Sequence, residues 1–327
     1  MTPDSQVITS ELIGVILAAG RGTRMYPFNL KIPKPLLPVC NKPLLEYQIE
    51  AMVSLGIKKL VIVIGHLGFE LTRQLGDGSR FGLSIEYYEQ ERLLGIAHAV
   101  GQLEPQIQGP FLLMLGDIFF QFDNLESIVI EMQCKQAAAV LAVREEEDAA
   151  AVRKNFAILL DEEGYVQRVI EKPRYSKSRL KGCGLYLFAP SIFDAIRRTP
   201  RSAMRDEYEI TDSIQILIDD DLPVAVSRCV TWDMNLTSPS DLLECSLRVM
   251  ASTNRQNVVD SRARVHPGAS LDRTVVGNDA EIANAVTVTN TVVFPRTRVV
   301  STKNVDRMIF TPDDVIDCRS SEMKLHA

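Results

Sequence analysis

Between Leu12 and Leu45 the chain has no Asp or Glu, although the 327-residue sequence carries a formal net charge of -6. It has no run of eighteen apolar residues, which excludes a membrane-spanning helix. It also has no dense basic run, which with a pI near 5.4 argues against a nucleic-acid partner. Six cysteines (Cys40, Cys134, Cys183, Cys229, Cys245 and Cys318) lie scattered, without a CxxC pair or a histidine at zinc spacing. Free thiols in a reducing cytosol are expected, not a zinc site or a disulfide framework. The opening residues, MTPDSQVITSEL, lack the basic and apolar regions of a secretory leader, so a cytoplasmic location without membrane attachment is expected.

Five cations fill the acid-free stretch: Arg21, Arg24, Lys31, Lys34 and Lys42. The apolar run Ile13–Ala19 reads as a buried strand, and Gly20-Arg21-Gly22-Thr23-Arg24 follows it directly. Glycines at a strand end let backbone approach a ligand and turn several N–H groups into one concavity, which favours an anion. Neither standard phosphate fingerprint is present: GxxxxGK[ST] is absent, and GRGTRM does not reach a third glycine. Pro27, Pro33, Pro35 and Pro38 then predict a stiff extended arm carrying Lys31 and Lys34 over a polyphosphate.

Residues 17–47 resemble the signature of the sugar-1-phosphate nucleotidyltransferases, LAAGxGTR[LM]xPxTxxxPKPLxPVxxKPxxxY, at nearly every fixed position. The visible departure is Asn29, where threonine is usual. The form GIAHAV after Gln90 is most similar to the long glucose-1-phosphate thymidylyl- and uridylyltransferases. The resemblance implies a Rossmann-like α/β domain and transfer from an NTP to a sugar 1-phosphate with magnesium as cofactor.

The rest of the chain agrees with that class. Strand and helix patterns alternate from Ile13 to about Met250: a helix over 44–55, a strand at Lys59–Gly65, a helix at 68–76, a strand at Leu83–Tyr88, a helix at 95–103 and the strand Phe111–Leu115. Such alternation predicts a mostly parallel sheet with ligands over the carboxyl ends of its strands. Gly20–Arg24, Gly65-His66 and Gly116-Asp117 all sit at such ends, and topology alone brings them together. Residues 145–154 read as a charged loop, 158–170 as a hairpin turning at Glu162-Glu163-Gly164, and 205–220 as a helix with Ile210, Ile214 and Ile218 on one face.

Roles carried over from the family fall on matching positions. Leu17, Ala18, Ala19, Gly20, Gly22 and Thr23 would cradle the nucleotide, and Gln90 and Gly95 would meet its base. Arg24 and Lys34 would hold the triphosphate and stabilise the leaving pyrophosphate. Glu171 and Lys172, in the EKP segment, would take the sugar hydroxyls and aim the attacking phosphate, with Gly184 on the strand lining that pocket. Glu209 and Asp212 would help shape the substrate lobe. Asp117 closes FLLMLGD as a magnesium ligand, although Ile118 replaces the usual asparagine.

For the second ligand, counting back from Pro239 selects Asn235, while counting from Trp232 leaves Asp233 in reserve. Phe156 falls where the family has a glycine beside the sugar, which predicts a narrowed pocket or a displaced backbone. The preferred substrates are glucose 1-phosphate with dTTP or UTP; mannose 1-phosphate with GTP and other pairs remain open. A non-catalytic nucleotide-sugar-binding relative is the rival class.

Beyond Met250 apolar anchors recur at six-residue steps: Val259, Val265 and Leu271, then Val276, Ile282, Val288, Phe294 and Val300. That period predicts a short left-handed parallel β-helix over 254–327, following a catalytic domain over 1–253. So few coils are marginal alone, and the tail is expected to dock on the catalytic domain or in a homo-oligomer. Acyl transfer through His266 is the rival reading of this tail.

Overall fold

The computed structural model describes residues 12–175, 178–203 and 205–319, and the backbone of 324–326. The opening residues read for a leader lie largely outside the described residues. The chain divides into two compact units, one of Met1–Gly20 with Gln48–Asp233, the other of Arg21–Tyr47 with Met234–Ala327.

The first unit is built on a twisted sheet whose central strand is Ile13–Leu17. Lys59–Ile64 and Phe111–Leu115 flank it in parallel, with Ile13 opposite Lys59 on one side and Phe111 on the other. Ser84–Glu89 continues the parallel set beyond Lys59–Ile64. Lys59–Ile64 and Phe111–Leu115 are apolar runs buried on both faces, as KLVIVI and FLLML require, whereas the outer strand Ser84–Glu89 is only partly buried. The chain steps outward on one side of Ile13–Leu17, then returns to its other side with Phe111–Leu115. That reversal makes the carboxyl ends of these two strands a topological switch point, where open α/β sheets bind ligands.

Antiparallel strands join the expected parallel set beyond Phe111–Leu115. The fully buried Leu180–Phe188 runs antiparallel to it and to Ala139–Glu145, whereas Val224–Ser227 lies parallel to Ala139–Glu145. The hairpin Phe156–Leu160/Val166–Glu171 forms as read, and Asp161 closes its turn by accepting from the N–H groups of Glu163 and Tyr165. The charged stretch read as a loop instead folds into the helix Ala149–Lys154, because Asp148 caps it through the Ala150 N–H at 2.8 Å. Helix Ile210–Asp219 buries Ile210, Ile214 and Leu217.

In the second unit the arm is not extended throughout. It folds into three single 3₁₀ turns, Thr23–Met25, Phe28–Leu30 and Lys34–Leu36, then a small ladder of Pro38–Val39 with Lys42–Pro43. The fixed φ of proline suits the start of such turns, and Pro35 occupies one. The 14-residue helix Pro239–Ser252 follows a reciprocal capping box between Ser238 and Asp241.

Up to Phe310 the tail stacks short strands in parallel, each partner 17 residues on: Val258–Val259 on Val275–Val276, then Val292–Val293, then Met308–Phe310, on which Val315–Asp317 pairs antiparallel. Two further stacks run Arg264–Val265, Glu281–Ile282, Arg298–Val299 and Ser270–Asp272, Thr287–Thr289, Val305–Asp306. A period of 17 means two six-residue steps and one of five in every turn. The inward residues after Val288 are therefore Val293, Val299 and Val305, not the expected Phe294 and Val300. Val299 is 1% exposed and Val300 62%. Each short step is made at a left-handed residue, Arg273, Asn290 and Arg307 in turn.

Candidate active site

At the switch point the strand ends pack backbone on backbone. The Ala18 N–H donates to the Val63 carbonyl at 2.8 Å and the Gly116 N–H to the Leu17 carbonyl at 2.9 Å. A Cβ on Gly65 would sit 2.8 Å from the Ala19 oxygen, and one on Gly116 2.8 Å from the Leu17 oxygen. Of the expected convergence of Gly20–Arg24, Gly65-His66 and Gly116-Asp117, this unit shows Ala19 against Gly65 and Leu17 against Gly116, while Arg21–Arg24 belong to the other unit. Gly20 differs from its neighbours: among the described residues no heavy atom comes within 4 Å of the place a Cβ would take. Packing does not explain that glycine, and the space beside it leaves its backbone approachable.

Gln90 follows the next strand over. It is 7% exposed, its N–H donates to the Ile64 carbonyl at 2.8 Å, and its side-chain amide lies 3.5 Å from His98 Nδ1. Burial, aided by Arg92, lowers the His98 pKa. Gly95 has φ 107°, and a Cβ there would meet the Tyr208 oxygen at 2.4 Å. Tyr208 donates to Leu94 at 2.7 Å and accepts from Ala97 at 3.1 Å, so close backbone docking is itself a reason for the glycine.

Glu171 ends the hairpin opposite Phe156. Its carboxylate meets Arg205 at 3.3 Å and the Thr211 hydroxyl at 3.4 Å, and Arg205 also reaches Glu209 at 3.3 Å. Burial first and the neighbouring Glu209 second push the Glu171 pKa up to about 7. Sequence reasoning did not single out Arg205; its signal was its place four residues before Glu209. Asp212, half-buried, lies in the first turn of the helix that follows. Lys172 is exposed, with φ 40° and its N–H on the Asn155 carbonyl at 2.9 Å.

Gly184 takes φ 77° where the register of Leu180–Phe188 against Ala139–Glu145 shifts between Gly182 and Tyr186. Such bulges re-aim a strand and favour glycine. Phe156 does not break its strand. Its ring is 5% exposed, stacks on Tyr186 at 6.0 Å and lies over Gly182, where a Cβ would meet it at 1.9 Å. A missing side chain on one strand accommodates a large one on the next.

In the second unit Gly22, at φ 59°, lies against Lys34, and Thr23 and Arg24 are exposed in the turn that follows. Lys34 is 8% exposed, and its Nζ donates to Asn235 Oδ1 at 3.1 Å. The arm is held by the tail: Phe28 stacks on Phe294 at 5.2 Å, Asn41 Nδ2 donates to the Val276 carbonyl at 2.9 Å, and Lys31 pairs with Asp313 at 2.7 Å. Phe294, which missed the inward phase, is buried against the arm instead.

Asp233 is not the reserve metal ligand. Its carboxylate accepts from Lys181 at 2.7 and 2.9 Å and from Arg144, which also pairs with Glu146, so it is a buried counter-ion. Among the described residues no group of three or more His, Cys, Asp or Glu could hold a metal. Magnesium binds through one or two protein oxygens and completes its shell with substrate phosphates and water. Asp117 carries a carboxylate of that kind, and Asn235 an amide oxygen that accepts from Lys34 Nζ in this structure.

Residues 13–249 match the family model described as nucleotidyl transferase. The chain is 33% identical to a glucose-1-phosphate thymidylyltransferase of Streptomyces griseus over 87% of its own length and 78% of that protein. It is 35% identical to the UTP–glucose-1-phosphate uridylyltransferase AglF of Haloferax volcanii, over 74% of this chain and 98% of AglF. Its fold is similar to a solved UDP-glucose pyrophosphorylase bound to UDP-glucose, with a TM-score of 0.65, 24% identity and coverage of 74% of this chain and 99% of that one. These matches show that the chain belongs to the nucleotidyl transferase family of sugar-1-phosphate nucleotidyltransferases.

Proposed function

We propose that the protein joins a nucleoside triphosphate to a sugar 1-phosphate and releases pyrophosphate, with glucose 1-phosphate and dTTP or UTP as the substrate pair. The observation that carries this is the emergence of the Leu17–Gly20 and Gly116-Asp117 turns at the sheet's switch point, with Gly20 open to a ligand. The names of the thymidylyl and uridylyl relatives support the choice of substrates.

A phosphate oxygen of the sugar 1-phosphate attacks the α-phosphorus in line as the bond to pyrophosphate breaks. Catalysis is therefore positioning and charge neutralisation, with no covalent enzyme intermediate. Leu17, Ala18, Ala19, Gly20, Gly22 and Thr23 cradle the nucleotide, and Gln90 and Gly95 face its base. Arg24 and Lys34 neutralise the departing pyrophosphate. Lys172 orients the attacking phosphate, Glu171 accepts from the sugar, and Gly184 lines that pocket. Asp117 and Asn235 would hold magnesium, which would supply charge compensation to the phosphates.

We read the tail as a short left-handed parallel β-helix that supports the arm and a homo-oligomer, in a cytoplasmic enzyme. The amide of Asn235, where the family commonly has a carboxylate, favours a second reading as a nucleotide-sugar-binding relative without turnover. Pyrophosphate release with a panel of NTPs and sugar 1-phosphates separates the two. Turnover with glucose 1-phosphate and dTTP or UTP supports the first reading, and turnover only with mannose 1-phosphate and GTP replaces the substrate pair. Binding without turnover across the panel overturns the enzyme reading.

A further inference from the structure

Helix Leu44–Ser54 carries a side chain that none of the roles above uses. Gln48 is 2% exposed, and its Nε2 donates to the Leu115 carbonyl at 2.9 Å and to the Ile118 carbonyl at 2.7 Å. These carbonyls bracket the Gly116-Asp117 pair, so one amide group closes the turn from its two ends. The turn is fixed from the opposite side by the Gly116 N–H on Leu17. Both acceptors are carbonyls, so the nitrogen must face them. The amide oxygen is buried without a hydrogen-bond partner. The two bonds made by the nitrogen account for the amide being held in that orientation.

We infer that Gln48 is a positioning residue for Asp117: it locks the Leu115–Ile118 turn and so fixes the direction of the carboxylate. This rests on the reading of Asp117 as a metal ligand and adds what holds it. Supports behind metal ligands are worth roughly 10–100-fold in metal affinity.

The test compares full-length wild type, Gln48→Met, Gln48→Glu and Asp117→Asn. Mn2+ binding is measured by electron paramagnetic resonance with NTP present, and turn amides by hydrogen–deuterium exchange. Gln48→Met keeps the volume and removes the donors. Its peptide spanning the Leu115–Ile118 turn is expected to exchange faster and Mn2+ to bind roughly 10–100-fold more weakly, while the KM for sugar 1-phosphate stays at the wild-type value. Wild-type Mn2+ affinity in folded Gln48→Met overturns the inference, provided Asp117→Asn has lost it. If Asp117→Asn also binds Mn2+ normally, the metal-ligand reading has failed instead. Should Gln48→Met not fold, Gln48→Glu decides. Its introduced carboxyl regains an O–H donor on protonation, so its Mn2+ deficit relative to wild type should narrow as pH falls. A deficit constant with pH overturns the latch.

Discussion

Lys34 keeps its ammonium group in a largely enclosed place, beside the Asn235 amide and against Gly22. A fixed cation in a water-poor site acts on developing charge far more strongly than one in solvent. Lys34→Ala should therefore cut pyrophosphate release by roughly 10²–10³ in kcat with little change in melting temperature, the usual scale for removing one preorganised donor. Initial rates and a thermal melt of the same preparation check it.

Glu171 makes a different prediction. Its pKa is raised from 4.5 to about 7 by burial and Glu209, so the folded chain holds this proton more tightly than the unfolded chain. Unfolding then becomes easier as pH rises from about 4.5 to about 7, and the effect levels off above that. Glu171→Gln should flatten this part of the Tm-against-pH curve; an unchanged slope would place its origin elsewhere. Legibility at this scale followed sequence distance. Gly20–Arg24 and Glu171-Lys172 are contiguous segments that a motif can pick out, and their roles belong to the proposal above. Arg205 lies 34 residues from Glu171, and no local pattern joins them. Asp233 was misread for the same reason, its clamps Arg144 and Lys181 lying 89 and 52 residues earlier.

Among the elements, Leu180–Phe188 carries the most varied work. It brings Lys181 to Asp233, leaves Gly182 bare beneath Phe156 and turns at Gly184. Lys181→Met should cost about 3–5 kcal/mol, because it breaks a buried pair and strands a carboxylate, although Arg144 keeps part of the charge balanced. Chemical denaturation measures it. Phe156→Gly, the change toward the family residue, should destabilise by about 3–5 kcal/mol through the cavity it opens. It should not broaden sugar choice, and a panel of sugar 1-phosphates on the folded variant tests that half. The strands and most helices were readable from period and composition. The helix Ala149–Lys154 was not, because its charged sequence conceals a cap and a run of alanines.

At the scale of the molecule, the compact units do not follow the order of the chain. The arm belongs with the tail, more than 200 residues away, and Phe28 with Phe294 is its apolar contact there. Phe294→Ala should therefore lower kcat about tenfold through loss of arm order, a drop on the scale of about 1.4 kcal/mol. Circular dichroism should stay unchanged. Full activity in that variant would mean that the arm needs no support from the tail. The six-residue rhythm showed that a repeat was there but not its phase, because left-handed corners occur in the short steps (Arg273, Asn290, Arg307) and in six-residue steps (Asp279, Arg296) alike, so none marks the short one.

A 17-residue turn also makes the tail intolerant of small length changes. Deleting or adding one residue would rotate every later strand off its side and carry valines such as Val299 and Val305 from interior to solvent. Gain or loss of a whole turn would leave the remaining ladder in step. Related chains should accordingly differ here by complete turns, with stray insertions confined to corners.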